Sequence, residues 1–156
     1  MIKPASIGSV STATLKPEDL LSAFTSELEW QVRRNSDHYC LPENFSERDR
    51  LANLIGEAQD AWSDDGETLS EDGEELIEEL REELENTFAA PYCYFGAHYG
   101  DGADFGFWPC HDAIEELPTV EDSDGAIELG EECKAVNDHG NVTIYSATGN
   151  VLLELV

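Results

Sequence analysis

Residues 70–88 read SEDGEELIEELREELENTF. Leu76, Ile77, Leu80, Leu84 and Phe88 recur at helical spacing, which predicts an amphipathic helix that begins after Ser70 and is stopped by Pro91. Its other face is Glu71, Asp72, Glu74, Glu75, Glu78, Glu79, Glu82, Glu83 and Glu85. Like charges stand four residues apart at 71/75, 74/78, 75/79, 78/82 and 79/83. At about 0.2–0.5 kcal/mol each, these pairs oppose the helix by roughly 1–2.5 kcal/mol. The helix dipole offsets part of that cost at the N-terminal end only. A face that works against its own helix points to a use outside the chain.

The hydrophobic period changes on either side of this stretch. Upstream it is helical. Leu20, Leu21, Phe24, Leu28 and Val32 predict a helix over 17–33, with Pro17 in the first turn, Glu18 and Asp19 at the positive end of the dipole, and Arg33 and Arg34 at the other. Leu51, Leu54, Ile55, Ala58 and Trp62 predict a second helix, with Ser46 as its N-cap. Downstream the period is two. Residues 92–97 and 104–108 read as strands around a Gly-rich turn, and 133–137, 141–146 and 151–156 as a meander with turns at Asp138-His139-Gly140 and Thr148-Gly149-Asn150. The expected fold class is α+β, with three N-terminal helices followed by an antiparallel sheet of about five strands. The Ser/Thr-rich residues 1–15 read as a flexible arm, and 16–156 as a single domain with a helical part, 16–90, and a sheet part, 91–156.

Charge is distributed unevenly along the chain. The 156 residues carry a formal charge of -27. Residues 1–62 hold ten acidic and six basic side chains, whereas 63–156 hold 25 and two. General halophilic acidity would be spread throughout, so this charge is placed. Hydrophobic content of 40% is too high for an acidic disordered tail, and a core can form. No apolar run approaches the roughly 20 residues that span a bilayer, and the first residues lack a signal-peptide apolar stretch. The expectation is a soluble, cytoplasmic protein with no membrane association. Its scattered Cys40, Cys93, Cys110 and Cys133 are expected to be reduced. Such acidity also argues against direct binding of nucleic acid.

Four kinds of chemistry compete for the remaining residues. Along a helix, i,i+4 carboxylates advance by roughly 6 Å. Joined by Glu121, Asp122, Asp124, Glu128, Glu131 and Glu132, the row could imitate the charges of a duplex, which presents one per roughly 1.7 Å of axis. A calcium-loop alignment on Gly125 puts Asp122, Asp124 and Glu131 at ligand positions, but Val120 stands where the loop needs Asp, so no EF-hand is expected. Cys93, His98, Cys110 and His111 lie on or beside the hairpin, yet without the paired spacing of a structural zinc site. His98, Asp101 and Asp104 are the candidates for acid–base catalysis, although Gly-Asp-Gly is also what a tight turn requires. No metal, cofactor or catalytic residue is assigned.

The blocks GDGADFGFWP (100–109) and VNDHGNVTIY (136–145) resemble sequences of small uncharacterised bacterial and phage proteins, a likeness covering roughly the last 65 residues. It implies a bacterial or mobile-element origin. The acidic face resembles that of nucleic-acid-mimic inhibitors. The expected function is therefore an inhibitor of the anti-CRISPR or anti-restriction kind, whose partner is a basic nucleic-acid-binding protein. The partner-binding residues are those named from Glu71 to Glu85, with Glu121, Asp122 and Asp124. A homodimer that lengthens the acidic row is compatible with this. The alternatives are an acidic adaptor or chaperone-like binder of a basic protein that does not compete with nucleic acid, and a small enzyme using the 98–104 loop.

Overall fold

The computed structural model describes residues 1–62, 68–70 and 72–156. They form two compact units, Met1–Ala89 with Tyr94–Trp108, and Ala90–Cys93 with Pro109–Val156.

The first unit is built around α1 (Pro17–Arg34), α3 (Phe45–Asp60) and α4 (Gly73–Glu83), with a short α2 (Ser36–Tyr39) and a 3-10 turn, Pro42–Asn44, between the first two. The apolar stripe read from the sequence faces inward on each. Leu21, Phe24 and Leu28 of α1, Leu51 of α3 and Leu80 of α4 are fully buried. Helix α4 runs on into a π-helical turn, Leu84–Phe88, which keeps Leu84 and Phe88 in the same core. Helix α3 starts at Phe45, so Ser46 lies inside its first turn and does not cap it.

Beside the helices lies a three-stranded sheet ordered β1-β3-β2, with β1 at Gly8–Ser11, β2 at Cys93–His98 and β3 at Asp101–Pro109. Phe95 and Phe107 meet at a tilt, with ring centroids 4.8 Å apart. Phe24 meets Phe95 edge-on at 5.0 Å, which joins the sheet to α1. Strand β1 lies within the stretch expected to be an arm. Its residues GSVS carry a single large apolar side chain, so period-two reading finds no strand there. Backbone pairing to β3 holds it, through Gly8 opposite Phe107 and Ser9 opposite Gly106. A Cβ on Gly106 would lie 2.1 Å from the Gly8 carbonyl oxygen, and backbone cannot yield that much. Gly106→Ala is therefore expected to cost about 1–3 kcal/mol and to expose the amides of β1 to hydrogen exchange. Unchanged protection there would contradict this register.

The second unit holds α5 (His111–Glu115), α6 (Ser123–Leu129) and an antiparallel meander of β4 (Cys133–Val136), β5 (Val142–Tyr145) and β6 (Val151–Leu155). Ile144 and Leu153 are buried with Ile114 in a core of its own. The segment 112–132, acidic and without clear periodicity in the sequence, contains most of both helices.

The expected three helices followed by one five-stranded sheet is thus not what forms. Among the described residues there are six helices and two separate three-stranded sheets, and one strand precedes the first helix. The physical reason is that the two sets of strands bury their apolar faces in different places. The hairpin phenylalanines pack with Phe24, whereas the meander closes over Ile114.

Candidate partner-binding surface

Helix α4 presents its carboxylates as the helical spacing requires. Asp72, Glu74, Glu75, Glu78, Glu79 and Glu82 are exposed, opposite the buried Leu76, Ile77 and Leu80. Glu71 lies outside the described residues. The remaining acids of the row do not all face solvent as free charges. Glu83 is largely buried, its side chain 11% exposed, and both of its oxygens accept from Arg50 of α3, at 2.5 and 3.0 Å. Thr87 also donates to it. Arg81 pairs with Glu78 at 2.9 Å and approaches Glu85 at 3.8 Å. Two of the five repulsive pairs inferred from spacing therefore contain Glu78, and one contains Glu83, each with a cation beside it.

The Arg50–Glu83 pair clamps α3 to α4. Burial by itself would raise the Glu83 carboxyl, but the hydrogen bonds from Arg50 and Thr87 and the nearby guanidinium outweigh it, so the group sits below the ordinary glutamate value. Burial, with Glu47 and Glu83 nearby, pushes the neighbouring Tyr39 hydroxyl up to about 12. A depressed carboxyl contributes stability that is present above its unfolded value of about 4.3 and is lost as pH falls through the folded value. Arg50→Met is expected to cost roughly 1–2 kcal/mol at pH 7, discounted because the arginine is largely exposed. Denaturant melts should then show the difference from the parent chain shrinking below about pH 4. A difference that grows on acidification would refute the clamp.

The clamp sets the two helices side by side, and the space between them is acidic on both rims. Glu57 and Asp60 of α3 face Glu75 and Glu79 of α4 and Asp72 at its N-cap across a groove of about 410 Å³, with Ala61 and Leu76 also lining it. It continues past Glu57 and Glu79 toward Asp49, Asn53 and Arg50. Among the described residues, Glu57, Asp60, Glu75 and Glu79 have no ion-pair or hydrogen-bond partner. Sequence reasoning missed the α3 carboxylates, since residues 1–62 look nearly balanced. The signal was the i,i+3 spacing of Glu57 and Asp60 on the polar side of the predicted second helix.

Glu121, Asp122 and Asp124 lie in the second unit. Asp122 caps α6, its Oδ1 accepting from the amides of Asp124 and Gly125 at 3.1 Å. Gly125 is thus helical, not the loop glycine of a calcium site. Glu121, Asp124 and Glu128 are exposed around a separate groove.

The hairpin candidates serve local structure. His98 Nδ1 accepts from the Gly100 amide at 3.1 Å, and the ring packs edge-on against Trp108. Asp101 accepts from the Ala103 amide, and Asp104 from the Ser9 hydroxyl of β1 at 3.0 Å. Burial, with Cys110 nearby, pushes the Cys93 thiol up to about 11. Among the described residues no three His, Cys, Asp or Glu side chains gather as a metal site, and no helix is long and apolar enough to cross a membrane. Comparison with protein-family models, curated proteins and solved structures finds no match.

Proposed function

We propose that the chain binds a basic nucleic-acid-binding surface of another protein and excludes nucleic acid from it, as an inhibitor of the anti-CRISPR or anti-restriction kind. The observation that carries this reading is the α3–α4 groove, where carboxylates from two helices stand exposed and, among the described residues, unpaired. The cations of this region, Arg50 and Arg81, join and steady the helices. Lysines and arginines of a partner that ordinarily hold phosphates would meet carboxylates at both rims, and the surrounding negative charge would accelerate encounter.

The test uses DNA–cellulose loaded with the proteins of a bacterial lysate. Washing with the chain should release a specific subset, each protein leaving bound to the chain and free of DNA. Retention of chain, captured protein and DNA together on the resin would sink the competition reading. It would favour an acidic adaptor instead. Release of the same proteins by polyglutamate at equal charge would reduce the effect to bulk acidity and would also count against it.

A further inference from the structure

The second unit contains an open edge that the acidic-helix reading does not use. Thr119 pairs in parallel with Lys134 of β4. The Val120 amide donates to the Lys134 carbonyl and the Lys134 amide to the Pro118 carbonyl, both at 2.9 Å. Residues 118–120 therefore lie along β4 through a single parallel bridge, outside the three strands of the meander. In parallel pairing the residue between two bonded neighbours turns its own amide and carbonyl the other way. Thr119 is exposed, and these two groups have no partner among the described residues.

Helix α6 lines the other side of this edge. Gly125 lets it approach closely, since a Cβ there would lie 3.0 Å from the Val120 Cβ. The edge and the helix border an open groove of about 590 Å³ that includes Pro118, Val120 and Leu129, the last 47% exposed. A free backbone amide and carbonyl at Thr119 beside a helix, with apolar side chains between, suit an added strand, whose backbone supplies affinity and whose alternate side chains enter the groove.

Charge selects the occupant. Glu121, Asp124 and Glu128 are exposed at the rim. The second unit holds eleven acidic residues against one lysine, Lys134, whose ammonium is held by the carbonyls of Ile114 and Glu115 at 2.9 and 2.8 Å. A second copy would bring like charge to like charge. We infer that the groove between residues 118–122 and α6 takes an extended peptide segment that alternates apolar and basic side chains, by strand addition to Thr119. This site stands independently of the α3–α4 groove.

The probe is a fluorescein-labelled ten-residue peptide alternating Val and Lys, titrated with the full chain in 150 mM salt and followed by anisotropy. Saturable binding is expected. It should weaken about tenfold when the peptide is N-methylated along one edge, and by a similar factor in Thr119→Pro, because each change deletes backbone hydrogen bonds. Glu75→Gln with Glu79→Gln should leave it unchanged, which separates this site from the α4 surface. Absence of binding would overturn the proposal. So would equal affinity for the N-methylated peptide, which would leave only charge attraction, and this arm does not depend on the folding of any variant. A chain that sediments as a dimer and loses the dimer in Leu129→Lys would assign the edge to a second copy and reject the basic segment.

Discussion

Converting Glu57, Asp60, Glu75 and Glu79 to their amides is expected to weaken release of DNA-binding proteins by about a hundredfold, at roughly 0.7 kcal/mol for each carboxylate lost. The side chains keep nearly the same size, so the groove keeps its shape and only its charge changes. The folded state should become more stable in the same variant. Substitution at 75 and 79 removes three of the like-charge pairs given by spacing, 71/75, 75/79 and 79/83, with a gain of about 1 kcal/mol. Potency and stability should thus move in opposite directions, which a merely solvated helix face does not require. The parent chain's potency should also fall steeply between 50 and 200 mM salt, roughly in the manner of phosphate contacts, and the variant's much less. Equal potency of the two proteins at low salt would remove the groove from the mechanism. So would a variant that loses potency only because its melting temperature falls.

Phe24→Ala should cost about 3–5 kcal/mol, a large fraction of the 5–15 kcal/mol that ordinarily holds a domain together. Phe24 is completely buried on α1 and touches both Phe95 of β2 and Phe105 of β3. Removing its ring opens a cavity where helix and sheet meet, and neither side can collapse without giving up the other contacts of Phe95 and Phe107. The control is Trp30→Ala on the same helix. Trp30 is 49% exposed and has the Arg34 guanidinium 5.2 Å from its ring, so its loss should cost about 1 kcal/mol or less. Chemical denaturation of the two variants measures the contrast. Equal costs would mean that the aromatic cluster does not carry the first unit.

Much of the helical half was legible because its period is strong. The stripe from Leu20 to Val32 found α1 to within a residue at its end, and Leu76 to Phe88 found α4 with its π-helical turn. The strands of the meander were legible for the same reason, with turns marked by Gly140 and Gly149 at positive φ. Strand β1 was not. Its amphipathic signal is weak, and its place comes from backbone pairing and from the missing side chain of Gly106, which no local pattern encodes. The candidate surface divides along the same line. Exposure of Glu74, Glu75, Glu78, Glu79 and Glu82 follows from the buried stripe opposite them. The burial of Glu83 against Arg50, 33 residues away in the chain, does not.

What the amino-acid sequence determined by itself was periodic and local: the strongly periodic elements α1, α3, α4, the hairpin and the meander, which face of α4 is acidic, and that charge lies mainly after residue 62. Tertiary structure decided which apolar faces share a core, and so divided the strands between two sheets. It also set α3 against α4 so that Glu57 and Asp60 complete the acidic groove, and laid residues 118–120 beside β4 so that Thr119 turns outward. The physical reason is that periodicity orients a side chain only relative to its own element. Which element lies opposite is settled by long-range burial and pairing, whose energies depend on residues far apart in the chain.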